Sequence, residues 1–298
     1  MHLKFLKPKS ICPLCASSKF RFAYYAKYKN LKTSYDLCVQ CHSVFQNPSL
    51  TRRSLLEFYN STLYWGTDKS NSHIYYDYLG QKLSYIYEAE RRYALIQNLF
   101  GKKPLDKKKV LVIGCGPGFD AIPFLKAGAN VVGIEPSKEM ANYAQKEFGI
   151  QMQVGFVEDE LDLVQSSFDL AVTWGSSMNF SDPGTVYSKV HSLLKPGGSL
   201  FFDFFNVDGP FSFLTYRKRL KAFHVSCAPS IKGIKIVLNK SGFSEIQFHG
   251  HFPFYSISLL ASQIDLLHLK KICGIFPLNK AGIIVPFPGT YITQAIKK

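Results

Sequence analysis

From Lys109 onward the apolar residues fall into short blocks separated by stretches of helical period. Lys109–Ile113, Val131–Ile134, Phe168–Thr173 and Ser199–Phe205 are near-continuous apolar runs, too short for helices, and read as buried strands. Ala121–Gly128, Ser137–Phe148 and Pro183–Leu194 read as intervening helices, with Ser137 placed to cap the second. Pro229–Ser241 reads as a further helix ending at Gly242, and Glu245–Phe252 and Thr290–Ile296 as closing strands. Strands alternating with helices predict an α/β fold with a doubly wound, mostly parallel sheet. Ligands of such sheets lie at the carboxyl ends of the strands.

Upstream the pattern changes twice. Residues 51–105 read as helical: Arg53–Tyr59 is amphipathic, and Gln81–Phe100 places Leu83, Ile86, Tyr87, Ala94, Leu95 and Leu99 at roughly helical spacing. A tyrosine-rich polar stretch, Tyr64–Tyr78, separates them. Residues 1–50 read as short strands and turns organised by cysteines. The expected division is therefore 1–50, 51–105 and 106–298.

Two C-x2-C knuckles, Cys12–Cys15 and Cys38–Cys41, account for four of the seven cysteines. Each lets two thiolates converge on one ion, and four thiolates give the closed tetrahedral shell of a structural zinc site. The gap between the knuckles slightly exceeds ordinary zinc-ribbon spacing, which an inserted hairpin absorbs. A dithiol redox pair is the competing reading. Paired cysteines of this kind suit a reducing compartment, so cytoplasm is expected. The first ten residues lack the apolar core of a secretory signal. No apolar run reaches the length of a membrane span.

The net charge is +15 at pH 7. Such a balance favours anionic partners, namely nucleic acid, acidic lipid or phosphorylated substrates, and equally describes a basic solvated surface.

Val110–Asp120 reads V-L-V-I-G-C-G-P-G-F-D, with Gly114, Gly116 and Gly118 between a strand and a helix. Glycines there let the backbone approach a ligand lying against a helix N-terminus. Glu135 ends the following strand, where a carboxylate can meet two ribose hydroxyls. Pro117 and Phe119 depart from the dinucleotide fingerprint, which argues against NAD.

This loop resembles motif I of the class I S-adenosylmethionine-dependent methyltransferases. Phe168-Asp169-Leu170-Ala171-Val172, Ser181-Asp182-Pro183 and Leu193-Leu194-Lys195-Pro196-Gly197-Gly198 resemble their later motifs, in order, over about residues 109–206. The two knuckles followed by Phe45-Gln46-Asn47-Pro48 and Phe58-Tyr59 are similar to bacterial methyltransferases with an N-terminal zinc-binding domain, including sugar C-methyltransferases and polysaccharide-cluster enzymes. The resemblance implies a Rossmann-like sheet of seven strands, S-adenosylmethionine as cofactor, structural zinc, and a small-molecule acceptor such as a nucleotide-linked sugar. It implies that Gly114, Gly116, Gly118 and Glu135 hold the cofactor, with Glu158 or Asp159 near its adenine and Trp174 near the sulfonium. Related O-methyltransferases carry a Glu-His pair where this chain has Met178 and Asn179. The remaining candidates for an acceptor base are His224, His249, His251 and Tyr255. Two other functions stay open: an RNA methyltransferase that uses the basic zinc module to grip phosphates, and a non-catalytic scaffold. Peripheral membrane contact near a lipid-linked acceptor is a further expectation, and the oligomeric state is undetermined.

Overall fold

The computed structural model describes residues 3–28, 31–65, 78–100, 104–209, 225–257, 282–284 and 289–298. Its centre is a seven-stranded sheet built from β4 (Lys109–Ile113), β5 (Asn130–Glu135), β6 (Gln151–Val154), β7 (Phe168–Thr173), β8 (Leu194–Phe205), β10 (Phe243–Gly250) and β13 (Thr290–Lys297). The order is β10-β13-β8-β7-β4-β5-β6. Only β13 runs against its neighbours. This is the mostly parallel sheet that the strand-helix alternation predicts, with the seven strands and Rossmann-like form that the resemblance implies.

The central strand explains the layering. Along β4 successive side chains point to opposite faces. Leu111 and Ile113 join one core with Ala171, Leu200 and Phe202. Val110 and Val112 join the other with Phe124, Val131 and Phe201. Both faces are buried, so the strand reads as an unbroken apolar run.

Helices α4 (Ile122–Lys126), α5 (Lys138–Phe148), α6 (Pro183–Leu193) and α7 (Ile231–Lys240) flank the sheet. Ser137 caps α5 by accepting from the Met140 N–H, and left-handed Gly149 ends it. Asp182 caps α6 with Pro183 in its first turn. Three of the boundaries that differ from the sequence reading have a visible cause. The helix expected over Pro229–Ser241 begins at Ile231, because the Ser230 side chain accepts from the Gly233 N–H and fixes the start there. The one expected over Ala121–Gly128 opens as a 3₁₀ turn, Phe119–Ala121, before α4. The strand expected from Ser199 begins at Leu194, with a register shift against β7 that absorbs the Pro-Gly-Gly turn.

The cysteine segment folds as a hairpin, β1 (Phe20–Tyr28) with β2 (Leu31–Cys38), followed by β3 (Val44–Gln46). The hairpin lies between the two knuckles and takes up their extra spacing. β3 pairs in turn with β9 (Cys227–Ala228), a piece of chain from far beyond residue 106. Cys12, Leu14, Cys38, Cys41 and Phe45 belong to the same apolar core as Val186, Tyr187 and Val237 of α6 and α7. The first fifty residues therefore share a sheet and a core with the large domain. Helices α1 (Arg52–Tyr59), α2 (Thr62–Trp65) and α3 (Lys82–Leu99) follow, and α3 packs on α4 and its preceding turn. β11 (Phe254–Ser256) and β12 (Gly282–Ile284) form a separate ribbon. Among the described residues no helix is long and apolar enough to cross a membrane.

Candidate cofactor site and cysteine cluster

A cavity of about 430 Å³ opens at the carboxyl ends of β4, β5 and β7. From β4 the chain runs outward to β5 and β6, then returns to β7 on the other side. The cavity occupies this reversal, where a doubly wound sheet leaves a crevice.

Its floor is the glycine loop. Gly114 and Gly116 line the cavity. Gly114 has φ +66°, and a Cβ there would fall 2.2 Å from Ser176 Oγ, so no other residue fits without displacing the loop after β7. Gly118 does not line the cavity: a Cβ on it would meet Ile150 and Ala144, so its task is to let α5 and the loop pack closely.

Glu135 ends β5 on the cavity wall, 3% exposed. Its Oε2 accepts from the Gly116 N–H at 2.9 Å and its Oε1 from the Ser137 N–H at 2.8 Å. A carboxylate oxygen has two lone pairs, so each oxygen keeps one for a ligand. Burial pushes the Glu135 carboxyl up to about 7, against the two N–H groups that favour its charge.

After β6, Phe156 and Glu158 line the cavity, and burial raises the Glu158 carboxyl above its ordinary value. Asp159 is directed elsewhere. Its Oδ2 accepts from the Phe156 N–H at 2.8 Å and its Oδ1 pairs with Arg52. The Arg52 guanidinium lies 4.4 Å from the centre of the Phe156 ring and reaches the cavity itself. Trp174, at the end of β7, lines the cavity and is 6% exposed.

Several cavity residues were not expected from the sequence. Tyr59, Tyr64, Trp65, Tyr78 and Tyr85 form an aromatic wall contributed by residues 51–105. Trp65 stands over the glycine loop: a Cβ on Gly116 would touch its ring at 3.5 Å. Its indole N–H donates to the Tyr59 carbonyl at 2.7 Å. Burial raises the phenols of Tyr59, Tyr64 and Tyr78. The clustering of tyrosines around residues 59–85 was the available signal.

Asp120 is the second unexpected group. It lines the cavity just beyond the glycine loop. Arg92 of α3 lies between three carboxylates, with contacts of 3.3 Å to Asp120, 3.5 Å to Asp203 and 3.6 Å to Glu88. The guanidinium also stands 5.3 Å from the Trp174 ring centre. Burial and the neighbouring Asp203 and Glu88 carboxylates push Asp120 up to about 6, although Arg92 opposes this. Asp203 Oδ1 accepts from the Gly175 N–H at 2.7 Å, tying the network to the loop after β7.

Neither His249 nor His251 lines this cavity. His251 is buried against Glu88, with Nε2 2.7 Å from Oε1, and belongs to the network behind the wall. His249 sits in β10 opposite Ile292, and burial lowers its imidazole. Tyr255 contributes its backbone to β11. His224 lies outside the described residues.

The four knuckle sulfurs converge within 4.8 Å of one another. Cys12 and Cys41 Sγ are 3.7 Å apart, and Cys15 and Cys38 Sγ are 3.5 Å apart. A tetrahedral shell with metal–sulfur bonds of about 2.3 Å has edges of roughly 3.8 Å, so these two pairs already stand at metal-shell spacing. The Cys12–Cys41 sulfur contact holds the Cys41 thiol below its ordinary value, which favours the thiolate form a metal needs.

The sequence profile of a family described as a methyltransferase domain matches residues 110–198. The ubiquinone biosynthesis O-methyltransferase of Vibrio parahaemolyticus is 30% identical over 190 residues, 61% of this chain and 71% of that protein. The protein of the same name from Actinobacillus pleuropneumoniae is 33% identical over 117 residues, 36% of this chain and 47% of its own. The mouse mitochondrial protein of that name is 36% identical over 33% of this chain, which spans only 29% of its length. Among solved structures, phosphoethanolamine N-methyltransferase 2 of Haemonchus contortus with S-adenosyl-L-methionine aligns over 92% of this chain and 71% of its own, with TM-score 0.57 and 14% identity. YcgJ of Bacillus subtilis aligns over 67% of this chain and 96% of its own, with TM-score 0.51 and 19% identity. At these identities the structural likeness establishes the fold.

Proposed function

We propose, since the chain belongs to the class I S-adenosylmethionine-dependent methyltransferases, that it moves a methyl group from S-adenosylmethionine to a hydroxyl of a small-molecule acceptor. The observation that carries this reading is the pairing of a close-approach glycine loop with a buried carboxylate that keeps one lone pair free on each oxygen. When bound, the cofactor supplies a methyl made electrophilic by its sulfonium. The chain's task is then to hold, align and dry the site.

Glu135 accepts from the two ribose hydroxyls. Gly114 and Gly116 let the backbone meet the methionine part, and Asp120 takes its ammonium, with Arg92 holding that carboxylate in place. Phe156 and Glu158 border the adenine, and Trp174 the sulfonium. Trp65 and the tyrosine wall exclude water from above. In this reading Gly118 and Asp159 support the site from outside it.

The names of the curated relatives speak for oxygen as the methylated atom. The knuckle pattern of the first fifty residues speaks for a nucleotide-linked sugar as the narrower acceptor class. Cys12, Cys15, Cys38 and Cys41 hold a structural zinc ion, supported by their spacing. Four thiolates leave no position open on such an ion, so it takes no part in the chemistry. A reducing, cytoplasmic setting follows from the same reading, because those thiols must stay unoxidised.

Transfer of labelled methyl from S-adenosylmethionine tests the proposal, with a phenol, a nucleotide-linked sugar and a ribosomal RNA fragment as acceptors. Label on a small-molecule oxygen is expected. Label confined to RNA would overturn the acceptor class.

A further inference from the structure

Four large apolar side chains stand exposed around the cysteine knuckles. Ile11 is 49% exposed, Phe22 54%, Tyr25 60% and Val39 53%. Ile11 precedes Cys12 and Val39 follows Cys38, and the two knuckles converge on one point. Phe22 lies opposite Asp36 in the hairpin and Tyr25 opposite Ser34. Two to four residues of strand separate these positions from Cys38, about 7–13 Å at ordinary strand rise. The four side chains therefore belong to one small module, the two knuckles and the hairpin between them.

A register shift between Phe22 and Tyr24 makes the pairing. Strict alternation would put Phe22 and Tyr24 on one face. The extra residue instead turns Tyr24 inward to stack on buried Tyr35, and sets the Tyr25 ring 4.7 Å from Phe22 on the outside. A bulge of this kind re-aims side chains at a sheet edge. Exposed apolar groups gathered in this way mark contact surfaces.

The surrounding charge is mostly positive, with the Asp208 carboxylate beside His42 an exception. Residues 1–50 hold eight Lys or Arg and one acid, Asp36. Asp36 is occupied by the Asn47 amide at 2.7 Å. Lys19, Arg21 and Lys32 are exposed, and none has an ion-pair partner among the described residues. Lys32 lies 3.7 Å from the centre of the Tyr25 ring, so cation and aromatic present together. The Lys19 carbonyl accepts from the Val39 N–H, placing that lysine beside the aliphatic tip.

We infer that this hairpin and knuckle face docks on an anionic lipid surface, with Phe22, Tyr25, Ile11 and Val39 entering the headgroup boundary and the cations meeting lipid phosphates. Apolar groups set among unpaired cations suit such an interface. Single-stranded nucleic acid would use the two rings as stacking platforms, but it gives Ile11 and Val39 no apolar phase to enter.

The test is sedimentation of the whole zinc-loaded chain with phosphatidylcholine vesicles, plain or containing about one-third phosphatidylglycerol. The protein is expected to pellet with the anionic vesicles and to be released by salt. Phe22→Ser/Tyr25→Ser, and separately Val39→Ser, should each lower the bound fraction at least about fivefold with zinc content unchanged. Failure of the parent to bind anionic vesicles, or equal binding by parent and variants, would overturn the inference. So would binding of a single-stranded RNA oligonucleotide that the same variants abolish, with no binding to vesicles.

Discussion

Replacing Glu135 by Gln removes a buried charge whose penalty and whose use are both readable in the structure. Burial raises this carboxyl from the ordinary 4.5 to about 7. A rise of that size corresponds to roughly 3 kcal/mol of differential interaction. The sign follows from the direction. The folded value lies above the unfolded one, so the contribution to stability is fully present below pH 4.5 and is lost as pH rises through about 7. The Gln variant lacks this dependence. It carries instead a pH-independent loss, because the Gly116 and Ser137 N–H groups each need an acceptor and Gln offers one oxygen. One N–H then faces an amide donor, costing about 1–3 kcal/mol. Urea unfolding of the ligand-free proteins in steps from about pH 5 to pH 8 should show the parent losing roughly 3 kcal/mol relative to the variant. Other titrating groups are common to both and cancel. The same substitution should weaken S-adenosylhomocysteine affinity about tenfold to a hundredfold, since a charged acceptor for two hydroxyls is gone. Parallel stability curves would refute the argument that Glu135 is held charged at an energetic cost for a ligand's sake.

Gly114→Ala should weaken S-adenosylhomocysteine binding by about tenfold or more and destabilise the fold by about 1–3 kcal/mol, through a strained φ and the contact with Ser176. Equal affinity in the two proteins, read by calorimetry, would remove Gly114 from the site. Asp120→Asn should reduce affinity for the same ligand about tenfold by deleting the acceptor for its ammonium. An analogue lacking that amino group should bind parent and variant alike, and a difference between them would assign Asp120 another role. Cys38→Ser should lower bound zinc from one ion per chain, measured by plasma emission, and lower the melting temperature because metal binding supplies folding free energy. Full zinc occupancy with unchanged melting would dismiss the four-thiolate site.

The parts of the molecule that were legible in the sequence are those set by local rules. The β4 strand, the Ser137 cap and the acid closing β5 each follow from period, capping chemistry and spacing within some twenty-five residues. The two knuckles declared their convergence because C-x2-C leaves few other uses for four thiols. What escaped depends on distant contacts. Trp65 and Tyr78 reach the glycine loop only through the way the helical segment packs, which no local pattern encodes. The Arg92 network draws on α3, the turn after β4, and β8 at once. The pairing of β3 with β9 joins segments that periodicity treats as separate. Gly118 and Asp159 matched the expected spacing, yet their environments direct them to packing and to a turn.

The most direct measurement is a calorimetric titration of the intact, zinc-loaded protein with S-adenosylhomocysteine. A single site of about micromolar affinity is expected, weakening as pH falls through the range in which Glu135 takes up its proton. Absence of any heat in protein shown to be folded and metal-loaded would contradict it.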